Sequence, residues 1–417
     1  MRHIRKHFFL LISSLSLIAG ISYLAYSQLN PLQFPKYRFA ISNIHDDLGQ
    51  KIKELEEKIS QNPKAALELS ALATLQISQA RTTGDPSFYK KAESNAERSL
   101  QILPHFNDQS LLVLARVAEA KHQFDKAISL ATKTILVKSN TEALSILVTS
   151  YLAQGNLKEA SVRADQLIDE KPGVSSYPLR ALVLEAQGRK EEADYDYQRA
   201  LFVEDLGELF HSAWARALLA RFYLKNRNLP SAEELLTESL RIYPKYPLAL
   251  DLMGELEIQR NNYKKAGDIF FQAFLITRQV TYLRHYARAK ELAGDNETAL
   301  AARAEAEQQL RNQLKWGDYG HREELVSLLL EKNSKESAKE ALNLIQKEVL
   351  TRKTAREYHL LAKSFMVLHD WVQAQEAIQG ALRTGVRDFE IYSDAAHIEG
   401  QLGSKQRESF FRKLSRG

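Results

Sequence analysis

The stretch YLAQGNLKEASVRADQLIDEKP, residues 151–172, decides the fold. Tyr151 ends one helix, Gly155-Asn156 makes a turn, Ala160 and Ala164 open a second helix and Pro172 closes the unit. Each signal has a physical basis: glycine takes the left-handed conformation that ends a helix, asparagine caps the next one, and proline cannot continue it. The layout then recurs. Ala181, Gly188, Ala193, Tyr197 and Ala200 repeat it in the following unit, and Gly254, Asn261-Asn262-Tyr263, Ala266, Phe270 and Ala273 repeat it again. Further copies place Ala287, Gly294 and Ala299, or Ala362, Trp371, Ala374 and Ala381, at equivalent points.

Working outward, the early alanines of the second helices are Ala92, Ala127, Ala160, Ala193, Ala232, Ala266, Ala299, Ala341 and Ala374. Five of their eight spacings are 33 or 34 residues, the length of a two-helix unit with one turn, and the spacings of 39 and 42 mark insertions. Only 10 prolines and 17 glycines punctuate 417 residues, too few for a turn-rich β protein. With 44% hydrophobic and 26% charged residues the chain is neither disordered nor wholly embedded in a membrane.

This pattern of small, aromatic and small residues resembles the tetratricopeptide repeat family, in its membrane-anchored bacterial form. The resemblance covers residues 65–388 and implies an all-α, right-handed superhelical solenoid of about nine helix-turn-helix units. The first unit departs from it by the insertion RTTGDPS at 81–87, and Gln308 to Glu336 departs in register. Before the array, residues 42–63 read as a capping helix, with Leu48, Ile52, Leu55 and Ile59 on one face. Residues 389–417 read as C-terminal capping helices, the last carrying Phe410, Phe411 and Leu414 on one side.

The amino terminus has a basic run at 1–7 followed by FFLLISSLSLIAGISYLAY, residues 8–26, without a charge. That length and flank fit a transmembrane signal anchor, or a signal peptide cut near Ala25-Tyr26-Ser27. Either places the array on the extracytoplasmic side, in a bacterium the periplasm, with residues 27–41 as linker and, for the anchor, a cytoplasmic N-terminus.

Chemistry is sparsely signalled. There is no cysteine, which excludes thiol catalysis and thiolate metal sites, and no phosphate loop, GxSxG elbow or HExxH. The eleven histidines are scattered, and only His3 and His7 share helical spacing, beside the apolar stretch. The pairs Glu191-Glu192, Glu233-Glu234 and Glu323-Glu324 read as surface charge at helix starts. The net charge of +5 falls to about +2 when Arg2, Arg5 and Lys6 are set aside, too little for a nucleic-acid footprint. No enzyme activity, metal or cofactor is expected.

The resemblance implies that the concave groove is lined by outward positions of each first helix. Those positions are Arg116, Glu119, Thr149, Arg221, Lys225, Asp251, Glu255, Arg284, Arg288, Arg356, His359 and Lys363. Arg221, Lys225, Arg284 and Arg288 suit a peptide's carboxylates, or are solvated charges partly paired with Asp251, Glu255 and Glu291. The expected function is a membrane-tethered scaffold binding a protein or acidic peptide partner, in envelope assembly, secretion or polymer export. The alternative is an accessory or regulatory subunit of an envelope polysaccharide synthase or export complex.

Overall fold

The computed structural model describes residues 34–41, 44–83, 85–135, 140–315 and 321–415. The apolar stretch 8–26 lies outside the described residues. Among the described residues, no helix is long and apolar enough to cross a membrane.

A capping helix, α1 (Ile44–Gln61), precedes ten antiparallel hairpins. They are α2 (Ala66–Thr83) with α3 (Ser87–Ile102), α4 (Asp108–Ala120) with α5 (Phe124–Ile135), and α6 (Thr141–Ala153) with α7 (Leu157–Glu170). The middle ones are α8 (Tyr177–Ala186) with α9 (Lys190–Phe202), α10 (Leu209–Lys225) with α11 (Leu229–Ile242), and α12 (Pro247–Gln259) with α13 (Tyr263–Thr277). The last four are α14 (Val280–Leu292) with α15 (Asn296–Lys315), α16 (His321–Glu331) with α17 (Lys335–Thr351), α18 (Ala355–Val367) with α19 (Trp371–Arg383), and α20 (Phe389–Gln401) with α21 (Lys405–Leu414). The segment expected to cap the C-terminus is therefore a tenth hairpin, in which Phe411 is buried while Phe410 and Leu414 stay exposed.

The second-helix alanines are the crossing points. All nine are at most 1% exposed, so each hairpin closes where a larger side chain would hold its helices apart. The turns are equally regular. From the second hairpin to the tenth, each turn holds one left-handed residue: His122, Gly155, Gly188, Arg227, Asn261, Gly294, Asn333, His369 and Gly403. Five of these are not glycine, and each such residue costs about 1–2 kcal/mol. Closing hydrogen bonds offset it, as in Asn228 N to Tyr223 O at 2.9 Å and Arg227 N to Leu224 O at 3.1 Å.

The long spacings have visible causes. The 39-residue step reflects the loop 203–208 and the 17-residue α10, and the 42-residue step the 20-residue α15. The insertion in the first unit extends α2 through Arg81 to Thr83. Both α10 and α15 keep their apolar contacts, so the insertions lengthen hairpins without breaking the stack.

The coil is wound tightly enough for its own turns to touch. Arg81 of the first hairpin lies over the Phe210 ring of the fifth at 5.0 Å. Arg352, between the eighth and ninth hairpins, donates to His122 Nδ1 at 3.0 Å and to the Lys121 carbonyl at 3.1 Å, both in the second hairpin's turn. A side chain added at Gly155 would meet Thr384, and one added at Gly188 would meet Arg387.

Part of the expected linker is docked. Residues Phe34 to Phe39 form an extended strap on the fourth and fifth hairpins, where Tyr37 is 5% exposed. Its backbone donates to Glu234 (Phe34 N, 3.2 Å) and Glu238 (Tyr37 N, 2.8 Å), and the Pro35 carbonyl accepts from Arg216 at 2.8 Å. Arg216 is fully buried and ion-paired with the buried Glu204, so the strap satisfies a guanidinium proton that water cannot reach.

Two glycines with different surroundings test the packing. A Cβ at Gly254 would lie 2.6 Å from Phe270 Cζ, whereas one at Gly267 would meet nothing closer than 3.7 Å. Gly254→Ala is therefore expected to destabilise by about 1–3 kcal/mol. Gly267→Ala should be neutral or stabilising by up to about 1 kcal/mol, from helix propensity. Urea denaturation of the two variants checks the contrast, and equal effects would refute it.

Candidate partner-binding groove

The sequence-predicted groove residues lie on the first helices of their hairpins, as α4, α6, α10, α12, α14 and α18 carry them all. Most are already engaged. Arg116 donates to Glu119 at 2.9 Å and to Glu142 at 2.6 Å, and Glu119 also accepts from Ser150 at 3.1 Å and from Thr149. Lys225 pairs with Glu185 at 2.6 Å, Arg284 with Glu331, and Arg356 with Glu323. His285 approaches Asp251 at 2.6 Å and the buried His359 approaches Asp394 at 2.7 Å, with Lys363 3.6 Å from Glu390. Arg221 is half-buried beside Tyr197, Glu255 is half-buried, and Arg288 is exposed.

The pairing expected with Glu291 takes another form: Glu291 binds Arg303, and Arg284 reaches Glu331 across the next hairpin. Among the glutamates read as surface charge, Glu323 is buried against Arg356, while Glu234 holds the strap and Glu233 pairs with Arg260 at 2.5 Å. These roles were illegible because the partners lie 27 to 200 residues away.

A cavity of about 160 Å³ lies inside the coil, where hairpins one to five converge. Arg81, Lys171, Glu142, His211, Trp214 and the hydroxyl of Ser145 face it. Burial would lower the Arg116 guanidinium, but Glu142 and Glu119 more than offset that and keep it charged. Arg116 in turn holds Glu142 below the usual carboxylate range. Arg81 differs. Among the described residues it has no ion pair within 4.0 Å; burial pushes its guanidinium down, Arg116 adds to this, and the Phe210 ring lies beneath it. The same burial, reinforced by Arg81, lowers His211 to about 4, so its imidazole is neutral at pH 7.

On its wall three cations, Arg81, Arg116 and Lys171, face one carboxylate, Glu142, so with the neutral imidazole, the hydroxyls and the indole beside them the space, of side-chain size, suits a further carboxylate. Arg81, His211 and Trp214 were missed from sequence. The insertion at 81–87 hid the register of the first hairpin, and the fifth reaches the cavity only because the coil closes.

One group of three ligand-type residues among those described, His122, Glu323 and Glu357, brings its atoms within 4.8 Å of one another. Arg352 donates to His122, Arg356 pairs with Glu323 and the Thr354 hydroxyl donates to Glu357. Each of the three thus has a partner within the protein, and the Arg352–His122 contact makes the cluster a clasp between turns of the coil.

No family model matches the chain. Over 184 residues, 43% of the chain, it is 26% identical to the mouse mitochondrial import receptor subunit TOM70, covering 29% of that protein. Over 240 residues, 55% of the chain, it is 27% identical to the Arabidopsis thaliana protein CTR9 homolog, covering 21% of it. The chain thus spans less than a third of the length of either relative. A solved tetratricopeptide repeat protein from Parabacteroides merdae aligns with 74% of this chain and 99% of its own, at 18% identity and a TM-score of 0.36.

His211 gives a pH dependence with a definite sign. Between pH 6.5 and about 4 the unfolded chain protonates this histidine while the folded one does not, so stability falls as pH drops through that window. Glu208, 3.7 Å from Nδ1, and Glu142 soften the effect. Urea midpoints between pH 6.5 and 5 should fall less steeply in His211→Gln than in the parent, and identical slopes would contradict the assignment.

Proposed function

We propose that the chain, a tetratricopeptide repeat protein by its alanine-crossed hairpins and left-handed turns, is a non-catalytic scaffold that seats an acidic segment of a protein partner inside its coil. The observation that carries this is Arg81, a cation with no carboxylate within ion-pair distance among the described residues, facing a cavity of side-chain size in which Glu142 is the one carboxylate among three cations. The partial match to an import receptor subunit supports a protein partner. Residues 8–26 are proposed to anchor the array on the extracytoplasmic side of a membrane, supported by their charge-free length and basic flank. Envelope assembly, secretion or polymer export is the setting that such an anchored scaffold suits.

The later-half cations are poorer candidates than Arg81. Lys225 and Arg284 would have to leave Glu185 and Glu331 before gripping a peptide, and that exchange gains little.

Crosslinking of the full-length protein in its native membrane, followed by pull-down, tests the reading. Arg81→Gln is expected to weaken partner capture by roughly ten- to a hundredfold, the loss of one charge-assisted hydrogen bond of about 1.5–3 kcal/mol. Arg288→Glu, on an exposed side chain, should leave capture within about twofold. Undiminished capture by the Arg81 variant would refute the cavity as the partner site.

A further inference from the structure

The strap fixes where the amino terminus leaves the array. The capping helix α1 stacks on the first hairpin, which by itself suggests a tether at the end of the coil. The chain instead passes over the middle. Phe34 packs 5.6 Å from the Tyr223 ring, and Arg38 donates to the Phe202 carbonyl at 3.4 Å. Lifting the strap would strip the Pro35 carbonyl from Arg216, which is 0% exposed, and the Tyr37 amide from Glu238. Such losses leave buried charge underpaired, so the strap is a fixed point of departure.

Only residues 27–33 separate Phe34 from the apolar stretch that ends at Tyr26. Fully extended, the connection spans at most about 28 Å, at roughly 3.5 Å per residue. A bilayer holding residues 8–26 must therefore lie beside the fourth and fifth hairpins. The surface there has the composition of a lipid contact. Phe202 and Leu206 are 60% and 71% exposed, and Lys36 and Arg38 are exposed on the strap, against one exposed carboxylate, Asp205, within 34–41 and 202–208. Apolar side chains flanked by cations suit the interfacial zone of a membrane containing anionic phospholipid.

We propose that the strap face, Lys36, Arg38, Phe202 and Leu206, rests on the surface of a phospholipid bilayer, so that the array lies side-on to the membrane and is held at its middle. The proposal rests on the membrane-anchor reading above and adds an orientation to it.

The chain has no cysteine, so single labels can be placed without background. Leu206→Cys, Leu350→Cys and Val372→Cys put an environment-sensitive dye at three exposed positions, on the strap face, the eighth hairpin and the ninth. Each full-length variant is reconstituted into phosphatidylethanolamine–phosphatidylglycerol vesicles containing brominated lipid. Co-flotation in high salt is measured with quenching. Flotation with at least threefold stronger quenching at 206 than at 350 and 372 is the expected result. Flotation with equal quenching at all three overturns the orientation alone, and failure to float overturns the anchor reading and the orientation with it.

A second arm removes the strap's buried ring in the 206-labelled protein by Tyr37→Ala. Flotation should persist while quenching at 206 falls to the level of the other two positions. Quenching that survives strap release overturns the strap as the element that sets orientation, while circular dichroism confirms that the array stays folded.

Discussion

The array depends on the absence of side-chain bulk where its helices cross. A single two-helix hairpin is too small to bury its own apolar stripe, so it is stable only when its two helices approach closely enough for the next hairpin to cover both. Alanine at the nine crossing points permits that approach, and at Gly254 and Gly380 even a methyl group would run into the rings of Phe270 and Tyr358. Large side chains then occupy the wedges between units, with Tyr197, Leu219, Leu236 and Leu256 almost wholly excluded from solvent. The core is therefore a run of overlapping clusters along the coil, without a single centre.

The same stacking governs the charges. A first-helix cation in one hairpin stands opposite a carboxylate one hairpin away, as Arg116 does with Glu142 and Arg356 with Glu323. Most of the groove is thereby self-compensated, which holds neighbouring units in register and leaves little net charge to attract a ligand. Arg81 escapes this because it sits beyond the ordinary end of a first helix, on the extra turn of α2, where no glutamate of the next unit comes opposite.

The hairpins were legible because everything that makes them is local. Small residues, turn residues and apolar stripes fall within about 34 residues of one another, and the capping helix showed its stripe, with Leu48, Ile52, Leu55 and Ile59 half-buried. The last two helices, read as caps, form a hairpin of the same kind, with Gly403 at its turn. The strap, the cavity and the clasp were illegible for a different reason. They join residues up to about 230 positions apart, and their existence depends on how tightly the coil is wound. That pitch is a sum of small angles between units, and no spacing in the sequence reports it.

The clasp between His122 and Arg352 has a kinetic consequence. A coil whose successive turns touch narrows the way into its interior, so a bulky ligand feeds in from one end or waits for the turns to part. In the second route association is gated, its rate set by how often the clasp opens and not by how often molecules collide. The same clasp, once shut behind a seated chain, makes escape equally rare, so a modest equilibrium affinity can coexist with a long residence time.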